Sequence, residues 1–318
     1  MAYRLENKES IGREIKRIAC EQTDKAIEKL TEEIINNNID TTQSAVDVNE
    51  RTEAIHDVRK RIKKIRAVIR LVRDELGQEV YKRENSCFRD AGRRLSEVRD
   101  AQVLLETFNK LENNFAEFIN PEGFIDLQQI LVEHHQNTCK QVLETGNTAL
   151  EVLAEIKNAG ERILNWSLES SNGQSILNNG LHRVYKGGYQ NCQIILEEPS
   201  TVEKLHDWRK QVKYLWYHLR IFRPVWPDLI KEWSKQTEQL AEYLGDDHDL
   251  AVLHQFINNP QEVLINQAEL EVVNSLINRR RKQLQASAKS LGQRIYVESP
   301  ELFSSRIKAY WQIWQKES

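Results

Sequence analysis

The stretch His56-Asp57-Val58-Arg59-Lys60-Arg61-Ile62-Lys63-Lys64-Ile65-Arg66 returns 150 residues later as His206-Asp207-Trp208-Arg209-Lys210-Gln211-Val212-Lys213. Aligned without a gap, residues 55–73 and 205–223 share seven identities: His56/His206, Asp57/Asp207, Arg59/Arg209, Lys60/Lys210, Lys63/Lys213, Arg70/Arg220 and Arg73/Arg223. All seven are polar. The apolar positions keep only their character, with Ile62 becoming Val212, Ile65 becoming Leu215 and Ile69 becoming Leu219. Apolar residues of similar size replace one another in a core at little cost, whereas a surface has still less reason to hold its identity. A charged set retained in both copies therefore reads as a site built twice.

At about 100° per residue, His56, Arg59, Lys60, Lys63, Arg66, Arg70 and Arg73 fall on one helical arc roughly 140° wide. Val58, Ile62, Ile65, Val68, Ile69 and Val72 fall on the opposite side. The stretch is thus an amphipathic helix whose polar face carries almost a single sign. Residues 55–73 hold eight Arg or Lys against one Asp, and residues 205–223 hold five against one, while the whole chain is −3. Positive charge is concentrated rather than spread. Arg59–Lys63, Lys60–Lys64 and Arg66–Arg70 are like-charge pairs at i, i+4, each destabilising by a few tenths of a kcal/mol. A lone run of charge is ordinarily a solvated face. Its duplication, and the fitness of Arg for bidentate contacts with phosphate oxygens, favour a polyanion site.

The remainder of the chain bounds the class. Its 318 residues suit one large domain or two of about 150. With 29% charged residues, 12 Gly and 6 Pro, it is built for long helices, and no stretch reads as a convincing strand. A near-neutral balance disfavours a protein that coats DNA indiscriminately, but a local basic cleft needs only local charge. Cys20, Cys87, Cys139 and Cys192 are too far apart for a zinc or disulfide framework and are expected to be reduced, buried thiols. No N-terminal apolar run follows Met1 and no segment approaches about 18 consecutive apolar residues, so we expect a soluble, cytoplasmic protein with no membrane partner.

Helices are expected over 10–36, from the first basic stretch to Gly77, and over 79–112, 124–157, 174–197, 202–223, 228–257, 261–292 and 300–316, with a polar loop at 39–51. Asn120-Pro121-Glu122-Gly123 reads as a turn. Gly187-Gly188 interrupts its helix, as a kink or a close approach of backbones. A polar passage around 158–172 marks a boundary, dividing the chain into 1–165 and 166–318. Arg89, Arg93 and Arg99 lie near one stripe and either face the basic helix across a groove or pair with Asp90, Glu97 or Asp100. Leu244-Gly245-Asp246-Asp247-His248-Asp249 aligns with Leu95-Ser96-Glu97-Val98-Arg99-Asp100, so the repeat continues past the basic helix. Glu238 and Glu242 then replace Arg89 and Arg93, making the second half less basic.

The doubled His-Asp-x-Arg-Lys-x-[Ile/Val]-Lys helix, followed by Leu-x-x-x-Arg-Asp or Leu-Gly-Asp-x-x-Asp, resembles the CHAD domain, the conserved histidine α-helical domain. The resemblance covers nearly the whole chain. It implies an all-α fold of two antiparallel four-helix bundles related by a pseudo-twofold axis, binding inorganic polyphosphate in a basic cleft between them. The ligand-facing residues it implies are His56, Arg59, Lys60, Lys63 and Arg66, with Arg89, Arg93 and Arg99, and in the second half His206, Arg209, Lys210 and Lys213. Arg70 and Arg220 extend the two basic faces. Lys64 becomes Tyr214 and Arg66 becomes Trp216 in the second copy, so the first half is expected to dominate.

On this reading the protein is a non-catalytic binding or targeting module without a cofactor. Its partners are polyphosphate and other polyphosphate-associated proteins, and polyphosphate granules are a possible address. Two other readings compete. The His-Asp pairs resemble those of metal-dependent phosphohydrolases, although the Arg-Lys that follows opposes a cation. His248 with Asp246, Asp247 and Asp249 is the better metal candidate. Trp208, Tyr214, Trp216 and Tyr217 interleave with bases as in single-stranded nucleic-acid binders, although packing between helices is the simpler role for Trp208 and Trp216. His56 and His206 are expected either to donate to the ligand, gaining charge below their reference pKa of about 6.5, or to order the helix start.

Overall fold

The computed structural model describes residues 3–6, 10–35, 45–117, 121–144, 147–168, 173–263 and 265–317. Among them every regular element is helical. The helices are α1 (Ile11–Lys29), α2 (Ala45–Leu71), the one-turn α3 (Arg73–Leu76), α4 (Gln78–Arg94), α5 (Glu97–Phe115), α6 (Ile125–Glu144) and α7 (Asn147–Leu164). There follow the one-turn α8 (Gly173–Ile176), α9 (His182–Glu197), α10 (Val202–Ile221), α11 (Pro227–Ile257), α12 (Gln267–Ile295) and α13 (Pro300–Lys316).

Several boundaries differ from expectation. The first basic helix starts at Ala45, inside the expected loop; residues 36–44, with the Asn run thought to end the first helix, lie outside the described residues. The expected 79–112 helix is two, α4 and α5, broken at Leu95-Ser96, where the Ser96 amide turns back to the Arg93 carbonyl at 2.9 Å. Within the expected 124–157 helix the described elements are α6 and α7, and residues 145–146 lie outside the described residues. Pro121–Phe124 is a single 3-10 turn, and α12 begins six residues later than expected, at Gln267. Periodicity cannot detect a break of one or two residues when the apolar stripe continues in phase beyond it.

Gly187-Gly188 does not interrupt α9. The second glycine serves packing: a Cβ there would lie 2.2 Å from the Tyr296 hydroxyl. Gly77, at φ +77°, is the positive-φ residue that separates α3 from α4, as expected of a helix stop.

α1 packs on α2 and α7, and α4 closes the ring by touching both α2 and α7. α9, α10, α11 and α12 close a second ring in the same way. Each ring is clamped by a buried carboxylate. Glu84 of α4 accepts two hydrogen bonds from Arg162 of α7, at 2.8 and 2.9 Å. Asp247 of α11 accepts from Arg281 at 3.0 Å and Gln285 at 2.8 Å, both on α12. A buried carboxylate needs such partners to offset its desolvation.

One large core runs through both rings, and α5, α6 and the adjoining halves of α11 and α12 share a smaller one around Phe108, Leu127, Leu253 and Ile277. The N-terminal segment is part of the large core. The Leu5 amide donates to the Ile221 carbonyl at 3.0 Å, and the Tyr3 hydroxyl to the Lys64 carbonyl at 3.1 Å. Of the cysteines, Cys139 and Cys192 are buried as expected, whereas Cys20 and Cys87 are only half-buried; all four are free thiols.

Candidate functional site

The apolar faces decide where the basic faces point. Val58, Ile62, Ile65 and Ile69 of α2 are buried, and so are Leu205, Trp208, Val212, Leu215 and Leu219 of α10. With those stripes committed to the core, the cations have only the opposite side. α2 and α10 touch each other, and the buried His218 of α10 fixes their contact by donating from Nε2 to the Ala67 carbonyl at 2.8 Å. A carbonyl only accepts, which sets the proton on Nε2. Burial lowers this imidazole to about 4, so it is neutral.

Beside that contact the two basic sets converge. Lys63 feels the charges of Arg59, Arg209 and Arg99; together with desolvation, which is the largest cause, they lower its ammonium to about 8. Lys213 is lowered to about 7 by desolvation, then by Arg209 and Lys63. Cations held this close in partial isolation from water resist full protonation. Arg59 is positioned by an Nη1 hydrogen bond to the Gly92 carbonyl at 2.8 Å and faces Asp100 at 3.6 Å. Arg99 of α5 is held by Glu106 at 3.0 Å.

A hollow of about 270 Å³ opens here, lined by Arg209, Lys213 and Trp216 of α10 and by Glu238, Glu242, Gly245, Asp246 and Asp249 of α11. The sequence reading missed only where these acids point. It noted that Glu238 and Glu242 replace arginines and took Asp246 and Asp249 as metal candidates, but not that residues 238, 242, 246 and 249 share one helix face directed at Arg209 and Lys213. Burial raises the Asp249 carboxyl, while Arg209, Lys213, Lys110 and Lys63 pull the other way. Lys110 was also missed; it sits 3.8 Å from Asp246.

The other expected residues are distributed around this centre. His56 is exposed, and its pKa is lowered by desolvation and by Arg99, Lys63 and Lys60. His206 lies with its ring 4.7 Å from that of His248, and its pKa is lowered too, by desolvation and then by Lys210 and Arg209. Both histidines are therefore held neutral around pH 7, where they donate without charge. Neither orders a helix start: α2 begins eleven residues before His56, and α10 is capped by Thr201, whose hydroxyl accepts from the Lys204 amide. Lys60 is exposed, and Lys210 is exposed but bound to Asp207 at 2.5 Å.

Arg66 donates to Asn85 at 3.3 Å and has Arg70 and Arg89 nearby. Arg70 stacks on Tyr214, 4.3 Å from the ring centre. Arg89 is engaged by the neighbouring Asp90 at 2.8 and 2.9 Å, so both readings of the α4 arginines apply to it, pairing as well as proximity to α2. Arg93 is 73% exposed and 3.8 Å from Asp90. Arg220 leaves the central group and lies over the rings of Trp216 and Tyr3, at 5.1 and 5.7 Å.

The competing chemistries find less here. Among the described residues no group of three or more His, Cys, Asp or Glu side chains is placed to hold a metal ion. The acidic run around His248 is engaged otherwise, Asp247 with Arg281 and Asp246 facing Lys110. Trp208 is fully buried and Tyr217 nearly so, while Trp216 and Tyr214 already carry arginines. Among the described residues no helix is long and apolar enough to cross a membrane.

A family model described as the CHAD domain matches residues 26–258. No curated protein matches the chain.

Proposed function

The chain belongs to the CHAD domain family, and on that premise we propose that it binds inorganic polyphosphate, without transforming it, along the cationic faces of α2 and α10 where the two helices meet, beside the mixed-charge hollow between α10 and α11. The observation that carries this reading is the meeting of Arg59, Lys63 and Arg99 with Arg209 and Lys213 beside the α2–α10 contact. Their repulsion destabilises the free protein, and a bound polyanion relieves it. Each phosphate unit is anionic, so cations at helical spacing track successive units through charge-assisted hydrogen bonds, and released counterions add to affinity. Neutral His56 and His206 supply donors that need no protonation. We read the two helical rings as the two halves of a duplicated fold, 1–165 and 166–318, with the ligand held at the junction of their basic helices.

The test is titration of the full chain with long-chain polyphosphate at two salt concentrations, for the native protein and for Arg59→Glu/Lys63→Glu. We expect affinity to fall steeply with salt, and to fall on the order of 100-fold with the double reversal, since each charge-assisted contact contributes about 1.5–3 kcal/mol. Salt-independent binding, or binding indifferent to the double reversal, overturns the proposal. Phosphate release in the presence of Mg²⁺ or Mn²⁺ would make the protein an enzyme instead.

A further inference from the structure

We propose a second phosphate-binding pocket at the far end of α10, formed by Arg4, Arg220, Arg223, Lys231 and Lys235, which takes the same polymer as it leaves the central hollow. The proposal rests on the reading of the protein as a polyphosphate binder, and the experiment below separates the two.

These five cations surround a hollow of about 440 Å³ whose remaining walls are Tyr3, Trp216, Ser234 and Glu238. They come from three parts of the chain: the N-terminal segment, the end of α10 with the turn after it, and the first turns of α11. The N-terminal segment is tied down where it matters, by the Leu5–Ile221 backbone hydrogen bond and by Tyr3 in the core. Arg4 is thereby held at the rim of the pocket.

Among the described residues none of the five forms an ion pair, and Glu238 is the single carboxylate on the walls. The contrast with the central hollow is sharp, because there Arg209 and Lys213 face four carboxylates. Five cations around one concavity and one acid make a strongly positive local potential, which low-dielectric walls focus. Arg220 lies over the rings of Trp216 and Tyr3, which place its guanidinium at the pocket wall, where its planar fork suits oxyanions.

The two hollows are neighbours. Trp216 and Glu238 line both. Along α10, Lys213 and Arg220 are seven residues apart, about 10 Å of helix. A chain held by Lys63 and Lys213 therefore continues past Trp216 into the second pocket without leaving positive charge for long, and Glu238 marks the partition between them.

α11 keeps an offset of 149 with α4, as Glu238/Arg89 and Glu242/Arg93 do, so Lys231 and Lys235 stand where the first half has Lys82 and Ser86. In the first half Arg73 and Arg70, the counterparts of Arg223 and Arg220, stack on Tyr81 at 4.8 Å and Tyr214 at 4.3 Å, and Arg66 donates to Asn85. The first half thus engages cations whose counterparts in the second surround an open hollow.

Calorimetric titration of the full chain with inorganic tripolyphosphate and with long-chain polyphosphate tests the proposal. Lys231 and Lys235 are exposed, so Lys231→Glu/Lys235→Glu leaves the core untouched. Lys82→Glu/Lys282→Glu, two exposed lysines lining neither hollow, controls for the change in net charge. We expect two tripolyphosphates per native chain, one after Lys231→Glu/Lys235→Glu, and one after Arg59→Glu/Lys63→Glu. For the long polymer, the distal variant should lose about tenfold in affinity and show a salt slope shallower by on the order of one to two units. Unchanged stoichiometry and unchanged long-chain affinity in the distal variant, or losses no larger than those of the control, overturn the second pocket and leave the central reading standing. Losing the distal site while Arg59→Glu/Lys63→Glu binds normally removes the central reading and keeps the pocket.

Discussion

The two copies of the basic helix are nearly the same object in different surroundings. α2 lies against α4 and α5, whose nearest contributions include Arg89, Arg99 and the Gly92 carbonyl. α10 lies against α11, which presents Glu238, Glu242, Asp246 and Asp249. In the first half the facing helices add cations, Arg89 and Arg99, each with a single carboxylate partner, whereas in the second the facing helix adds four carboxylates. At the far ends the contrast reverses: in the first half Tyr81 and Asn85 engage Arg73 and Arg66, whereas the second leaves five cations around an open pocket. A helix's own charges therefore do not set the potential of a site; the facing helix decides how much of that charge is available to a ligand.

The sharpest way to break this comparison is to reverse the same two positions in each copy. Arg59→Glu/Lys63→Glu should weaken polyphosphate binding on the order of 100-fold, and Arg209→Glu/Lys213→Glu about tenfold, because the acids already offset part of the second pair. Equal losses in parallel titrations would erase the asymmetry.

The converse change sharpens it. Glu242→Gln/Asp249→Asn should release Arg209 and Lys213 and raise affinity several-fold, most clearly at low salt, where the Debye length is long. Unaltered affinity at low salt would mean that these acids do not screen the hollow.

Proton linkage offers a smaller effect. The free protein holds Lys63 near 8 and Lys213 near 7. A bound polyanion raises both, so the complex binds more protons than the free protein and affinity should fall as pH rises from about 7 to 9, at most tenfold per pH unit for each linked proton. Calorimetry in two buffers of different ionisation enthalpy should detect proton uptake on binding. Without ligand the sign is opposite: the unfolded chain, with lysines near 10.4, holds more protons across this window, so folding stability from these groups rises with pH.

The smallest expected effect on binding comes from the packing of the two halves. A Cβ at Gly292 would lie 2.5 Å from the ring of Trp208, while one at Gly92 would meet the Ile62 methyl at 3.3 Å. Gly292→Ala should cost about 1–3 kcal/mol by overpacking and lower the melting temperature, with Gly92→Ala milder. Polyphosphate affinity of the folded Gly292→Ala protein should be unchanged.

Much of this architecture was legible before any coordinates. Helical periodicity located both basic helices, α9, α11 and α13, because their apolar stripes are long and in phase. It overlooked the break at Leu95-Ser96, since a short interruption leaves the stripe aligned, and it placed the start of α2 too late. The central residues Arg59, Lys63, Arg209 and Lys213 were named from the repeat, and Arg99 from the arginine stripe that follows it. Arg220 was named as well, but it points to the second pocket; Arg4, Lys110, Lys231 and Lys235 lie in no repeated motif and were not found.

From its residues alone this chain is determined to be helical, with two cationic rods whose inner faces are apolar, because both properties depend on neighbours three and four positions away. Whether those rods meet, and whether their charge stays free, depended on contacts between residues some 40 to 150 positions apart: His218 on Ala67, Lys213 beside Lys63, Asp249 before Arg209. Electrostatic energy follows distance in space, and that distance came into being only when the helices packed.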